Sequence, residues 1–356
     1  MTKISPRTSR REFIGAFTAG GLSILGSNGA KAESRQSSGA TKPPSARRRI
    51  DVHHHILPPE YVRLVGKDVI GRLAVPIGAT PQWDVAASLR IMDEQAISAA
   101  IVSVSAPGLW FGDTALTQRL ARSCNEFAAQ MAADHPKRFG FFAAMPLPNV
   151  KASLAELTHA IDVLKCDGIG LITNYGDRYL GDPEFKPLFD EINRRRVPVY
   201  VHPTVCSCDQ NLFPDIPPAM IEFPHSTTRT VVSLLNSETF TRCPDIPFIF
   251  SHAGGTIPFL VNRISSISTA VGKPGWYSIL KRLNYDTALS VNAAAFSALL
   301  KMVTSKQVLF GTDFPFAGVA AAKLAINGLQ TLGLSDNEIQ DIEAGNAVRL
   351  FRRFAE

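Results

Sequence analysis

The sequence predicts an α/β fold: a single (β/α)8 TIM barrel of parallel strands with a C-terminal helix, preceded by an export signal and a disordered linker. Three observations carry this. From Ile50 onward, short β-branched or aromatic apolar runs alternate with longer amphipathic stretches, the mark of repeated βα units. The strand candidates number eight, at 49–53, 98–104, 138–145, 168–172, 197–202, 246–251, 283–288 and 307–311. Several of them end in a chemically capable side chain, and in a parallel barrel the C-terminal strand ends meet at one mouth, where chemistry resides. At 356 residues and 45% hydrophobic content, the chain can bury one large core without needing a second domain.

The helices follow from the spacing of apolar residues between strands: 85–95, 114–134, 151–165, 183–196, 227–241, 257–268, 293–303 and 317–329. A last helix, over 336–354, is expected to pack outside the barrel. Asp182-Pro183 supplies a cap and an N1 proline to the fourth helix, and Arg194-Arg195-Arg196 places positive charge at its C-terminal end, where the helix dipole favours it. That arginine run therefore reads as structural. Ser335-Asp336-Asn337-Glu338 opens the final helix with capping residues. Long loops at 57–83, 106–113, 174–181 and 204–227 mostly follow strand C-termini and should roof the mouth.

Three segments emerge: a signal peptide over 1–32, a linker over 33–48 and the barrel over 49–356. Ser9-Arg10-Arg11-Glu12-Phe13-Ile14 resembles a twin-arginine export motif, an apolar stretch to Leu25 follows, and Ala30-Lys31-Ala32 offers a cleavage site. The mature protein is then expected to be periplasmic or secreted, or cytoplasmic if the signal is not processed. Residues 1–49 carry a net charge of +8 out of a total of +6, which leaves the barrel at −2. A nucleic-acid partner needs a basic face on the folded part, and this distribution excludes it. The apolar part of the leader is too short and glycine-rich to act as a membrane span. Five cysteines, Cys124, Cys166, Cys206, Cys208 and Cys243, show no framework spacing and imply no disulfide scaffold. A thiolate site at Cys206 and Cys208 is weak beside nearby histidines.

Ile50-Asp51-Val52-His53-His54-His55 reads as a strand on which His53 and His55 share a side, so both imidazoles can reach one ion, while His54 points to the helix layer. His202, His252 and Asp313 each close a later apolar run. Trp110 and Phe111, in the loop after the second strand, are candidates for an apolar wall against an aromatic ring. Glu222 and Arg229 are candidates to touch substrate or to support a second copy of the chain in a homodimer.

Those motifs, together with Val201-His202-Pro203, Ser251-His252-Ala253-Gly254-Gly255 and Gly311-Thr312-Asp313-Phe314-Pro315-Phe316, resemble the ordered motifs of the amidohydrolase superfamily. The similar branch is that of aminocarboxymuconate-semialdehyde decarboxylase and the salicylate- and resorcylate-type decarboxylases. The resemblance implies that His53, His55, His202 and Asp313 bind one divalent metal, that His252 is the catalytic acid/base, and that Asp313 shares the proton work. Three imidazoles and one carboxylate suit zinc, with manganese the other ion the branch uses. The stretch 168–174 has no lysine, so a carbamate-bridged two-metal site is not available. No organic cofactor is implied.

The implied activity is non-oxidative decarboxylation, a carboxy-lyase reaction on a small aromatic or muconate-like carboxylate. A hydrolase or hydratase acting on a lactone, amide or unsaturated acid would use the same metal and water. Where the semialdehyde decarboxylases carry a carboxylate-binding arginine, this chain reads Gly78-Ala79-Thr80-Pro81-Gln82-Trp83, with none, and its loop from Ala219 through Glu222-Phe223-Pro224-His225-Ser226-Thr227-Thr228-Arg229 resembles the salicylate-decarboxylase type instead.

Overall fold

The computed structural model describes residues 47–207, 213 and 215–355. The expected signal peptide, most of the linker and Cys208 lie outside the described residues. Arg47 and Arg48, expected in the linker, are anchored to the folded part: Arg47 pairs with Asp336 at 2.5 Å, and Arg48 donates to the Phe354 carbonyl at 2.5 Å.

Eight parallel strands form one sheet in chain order: β1 (Arg49–Ile56), β2 (Ile97–Val104), β3 (Phe139–Ala144), β4 (Gly168–Ile172), β5 (Val199–His202), β6 (Phe248–Phe250), β7 (Asn284–Asp286) and β8 (Val308–Leu309). The ends of the sheet meet through the residues around β8. Val52 N donates to Phe310 O at 2.9 Å, Asp313 N to His53 O at 2.8 Å, and His55 N to Phe314 O at 2.7 Å. The sheet is thus a nearly closed barrel, consistent with a TIM barrel.

Each strand is followed by a main helix: α1 (Val85–Glu94), α2 (Thr114–Asp134), α3 (Val150–Asp162), α4 (Lys186–Arg195), α5 (Glu222–Asn236), α6 (Ile257–Ala270), α7 (Ala293–Met302) and α8 (Gly318–Leu329), with shorter helical turns between. Their starts are written in the sequence: Asp84, Asp113, Asn149 and Asn292 each accept a first-turn backbone N–H of the helix that follows. Arg194 and Arg195 pair with Glu191 and Asp162, so the arginine run holds α4 in place.

Two expectations are corrected. α5 begins at Glu222, five residues before the position expected from its apolar spacing, because Pro224 sits in the first turn, where a missing N–H costs nothing. The C-terminal segment does not lie outside the barrel. Ala344, Ala347, Phe351 and Phe354 join one buried cluster with Ile50, Val52, Ala99, Ile101, Phe142, Tyr200, Ile249 and Leu309, inward-facing residues of six strands. Four apolar side chains closing the open end of a barrel gain more than a helix lying on its polar exterior would. A π-helical turn, Asp341–Gly345, and the buried Arg49–Glu343 pair at 2.8 Å fix the segment there.

Candidate metal centre

The site begins with an irregularity in β1. Strict alternation would turn His53 and His55 away from the face that Ile50 and Val52 occupy. The β1–β2 register shifts between Asp51 and His54, a bulge that inserts one residue. Ile50 and Val52 then fill the lower barrel, and His53 and His55 still face its interior above them. His54 points outward, as expected, where its ring contacts Asp51 Oδ2 at 3.1 Å and Ser88 Oγ of α1 at 2.9 Å. Asp51 Oδ1 accepts from the backbone N of both His53 and Thr312, at 3.0 and 3.1 Å, which ties β1 to the turn that carries Asp313. That turn comes close because Gly311 has no side chain: a Cβ there would lie 2.7 Å from the His53 Cβ.

His53, His55, His202, His252 and Asp313 meet at the mouth, all buried. One nitrogen or oxygen from each of His53, His202, His252 and Asp313 lies within 4.8 Å of the others. His55 belongs to the same group, its Nε2 being 3.0 Å from His53 Nε2 and 3.0 Å from Asp313 Oδ1. Each of three imidazoles rests its Nδ1 on an acceptor: His53 on Asp286 Oδ2 at 2.7 Å, His55 on Ser103 Oγ at 3.1 Å, and His202 on Pro203 O at 2.8 Å. With the Nδ1 protons donated there, the three Nε2 lone pairs face one another. That arrangement is repulsive unless a cation sits among them, and anchored tautomers of this kind are how proteins present imidazole to metals.

Asp313 divides its two oxygens. Oδ1 lies 3.2 and 3.0 Å from the Nε2 atoms of His53 and His55 but makes no well-formed hydrogen bond, and His202 Nε2 is likewise buried without a partner. Oδ2 faces His252 Nε2 at 3.3 Å. Three nitrogens and one oxygen therefore aim open lone pairs at a common point, and this His/Asp donor set fits a divalent cation.

The electrostatics agree. Burial pushes the His53 pKa down, but the Asp286 and Asp313 carboxylates on either side outweigh it and raise the value to about 10, so His53 Nε2 carries a proton unless a cation takes that proton's place. Burial lowers His55, and lowers His202 well below its ordinary value with the help of neighbouring His55 and His53, which keeps both neutral. For Asp313, burial favours the neutral acid, yet His53 and the contacts from His252 and His55 hold the carboxyl well below its ordinary value.

The backbone is also unusual. His252, Ala253 and Asp313 have φ of 53°, 56° and 61°, the left-handed region that non-glycine residues rarely adopt. Such conformations persist where surrounding contacts over-determine them. Asp286 is one such contact: its Oδ1 accepts the backbone N of His252 at 2.8 Å, while its Oδ2 holds His53 and accepts from the Tyr200 hydroxyl at 3.2 Å. The sequence reading missed Asp286, although it closes β7 just as His202 closes β5.

A cavity of about 360 Å³ opens beside the group, with His202 and Asp313 in its wall. Leu73, Val75, Ala106, Phe223, Leu289 and Phe316 supply much of the rest. Trp110, Phe111, Glu222 and Arg229 are not among the residues lining that cavity. Trp110 packs against the main core, Phe111 is 38% exposed, and Arg229 is exposed on α5. Glu222 is buried in the first turn of α5, and the residue after it, Phe223, faces the cavity. Cys206 is disulfide-bonded and offers no thiolate to a metal.

Residues 50–353 match the family described as Amidohydrolase. The chain belongs to the amidohydrolase family. It is 35% identical over 329 residues to the decarboxylase yanB of Aspergillus niger, covering 86% of this chain and 88% of that protein. It is 33% identical to 6-methylsalicylic acid decarboxylase of Penicillium expansum, covering 86% of this chain and 96% of that protein. A crystal structure described as an amidohydrolase II superposes with a TM-score of 0.81 at 27% identity, covering 86% of this chain and all of the other. Among the described residues no helix is long and apolar enough to cross a membrane.

Proposed function

We propose that this amidohydrolase is a metal-dependent, non-oxidative decarboxylase of small hydroxybenzoates of the salicylate type. The observation that carries the reading is the pairing of a buried His/Asp donor set with an apolar cavity. Among the described residues lining that cavity none is Lys or Arg, and its polar groups are Ser105, His202 and Asp313. A substrate carboxylate can then find its charge partner only at the metal end, and the ring fills the apolar part. The relatives at 35% and 33% identity, both named decarboxylases, support the same reading.

His53, His55, His202 and Asp313 Oδ1 would hold the ion, zinc being preferred by the nitrogen-rich donor set and manganese the other choice. The chemistry a divalent cation supplies there is Lewis-acid charge that grips the carboxylate and adjacent hydroxyl and offsets the negative charge built up as the carbon–carbon bond breaks. Every other part belongs to the chain. The anchors at Asp286, Ser103 and Pro203 keep the imidazoles aimed and spare them reorganisation during the reaction. His252, on the far oxygen of Asp313, holds a proton at Nε2. As the bond to the carboxyl group breaks, its electron pair stays on the ring carbon, carbon dioxide leaves, and the His252 Nε2 proton is delivered to that carbon. His252 is 8% exposed, so it regains its proton from water once the product has left. The apolar wall keeps water from the ring meanwhile.

The test is carbon dioxide release from 6-methylsalicylate by enzyme reconstituted separately with zinc and manganese, beside a panel of lactones and amides. Release of carbon dioxide with either ion supports the proposal. Hydrolysis of a lactone or amide with no carbon dioxide from any hydroxybenzoate would overturn it.

A further inference from the structure

The cavity is much larger than a salicylate ring requires. An apolar cavity of roughly 150 Å³ already accommodates benzene, and this one, at about 360 Å³, is more than twice that. Its depth and its rim have the same character. At depth, Ala106 and Phe223 are buried beside His202 and Asp313. At the rim, Val75, Met220 and Leu289 line the cavity while remaining 58%, 66% and 56% exposed. Three large apolar side chains in water around one opening are unusual for a soluble surface, and such rims mark places where an apolar ligand emerges. Leu289 adds a conformational argument. It sits at φ 54°, a region in which a branched apolar residue is disfavoured, so the loop holds an exposed leucine at the mouth against its backbone preference.

We propose that the physiological substrate is a salicylate-type acid bearing an alkyl side chain longer than methyl, with its carboxylate at the His/Asp group and its chain running along the apolar wall to Val75, Met220 and Leu289. This rests on the decarboxylase reading and adds the substituent. A second carboxylate or a remote hydroxyl directed toward Val75, Met220 and Leu289 would meet only apolar side chains there, and desolvating it would oppose binding.

The experiment compares salicylates carrying hydrogen, methyl, propyl, pentyl and heptyl at position 6, with both carbon dioxide release and calorimetric binding measured for each. kcat/KM and affinity should each rise about three- to four-fold per added methylene, the value of burying one CH2 group, and level off once the chain passes the rim. Leu289→Asp, at an exposed position whose left-handed backbone aspartate tolerates better than leucine, should bring the pentyl-to-methyl ratio of kcat/KM down toward 1. A second variant, Val75→Asp, should do the same from the loop that follows β1. If methyl- and pentyl-salicylate are turned over with equal kcat/KM, or the longer chain is rejected, the inference is overturned while the decarboxylase reading stands. If affinity climbs with chain length but no carbon dioxide is released, the chain-binding cavity stands and the decarboxylase reading falls. A pentyl-to-methyl ratio unmoved by either rim variant also overturns the inference.

Discussion

The two ends of the barrel use the same strands for opposite purposes. At the base, Phe142, Tyr200, Phe351 and Phe354 stack and interlock: Phe142 lies 5.0 Å from Tyr200 and 5.6 Å from Phe351, centroid to centroid. Arg49 and Glu343 pair beside them. At the mouth, His252, Ala253, Leu289 and Asp313 adopt left-handed backbone, and His202 Nε2, His252 Nδ1 and Asp313 Oδ1 are buried without hydrogen-bond partners. The base gains stability from burial, and the mouth gives some of it up to hold open lone pairs in place. A single strand shows the change: β1 is apolar at Ile50 and Val52, and after its bulge it is a pair of imidazoles.

If that division is right, changes at the two ends should separate cleanly. The largest effect is expected at the mouth. His202→Ala or Asp313→Ala should lose bound metal and turnover together, as measured by metal content per chain beside kcat; a variant that kept its ion and its rate would remove that residue from the donor set. At the base, Phe354→Ala should cost about 3–5 kcal/mol of stability, as for other buried phenylalanines, and should leave kcat of the folded protein unaltered. A denaturant midpoint and a rate at low temperature check both halves. Between the two ends, Asp286→Ala should weaken metal affinity or activity by about 10- to 100-fold, the usual result of cutting the anchor of a metal-binding imidazole. Competition with a chelator would read that affinity directly.

The smallest effect lies on the outer surface. Contacts from Arg194 and Arg195 lower the Glu191 pKa to about 2. The stabilisation from this carboxylate is therefore present above its unfolded pKa and fades as pH falls from about 4.5 toward 2. Glu191→Gln should flatten that part of the stability–pH curve by less than about 1 kcal/mol, since the group is partly exposed. A pH titration of the denaturant midpoint would show it, and kcat should not move.

How far the sequence could be read follows the same division. Strand runs were legible wherever β-branched and aromatic residues are continuous, and β4 has the bounds that the run 168–172 suggested. β1 was legible as a strand carrying His53 and His55, but its bulge was not, because the extra residue and the Asp51 contacts that stabilise it are not written in the apolar alternation. The five mouth residues were legible because each closes an apolar run. Asp286 was not noticed because its run, Leu283-Asn284-Tyr285, is short and half polar. The C-terminal plug was missed because its amphipathic spacing says only that one face is buried, not against which surface. The residues of the cavity wall were not legible for a related reason: Phe223 and Phe316 lie in loops or first turns whose direction is set by tertiary packing, which also seats Trp110 against the core.

The central claim is that this chain separates metal holding from proton delivery, with Asp313 lending one oxygen to each. His252→Ala tests it most directly, with metal content per chain and carbon dioxide release from 6-methylsalicylate measured on the same folded preparation. The account predicts that the ion stays at its wild-type level while kcat falls about 10²- to 10⁴-fold, the usual worth of a positioned acid/base group. Loss of the ion along with the rate, in protein that remains folded, would make His252 a ligand and contradict the account.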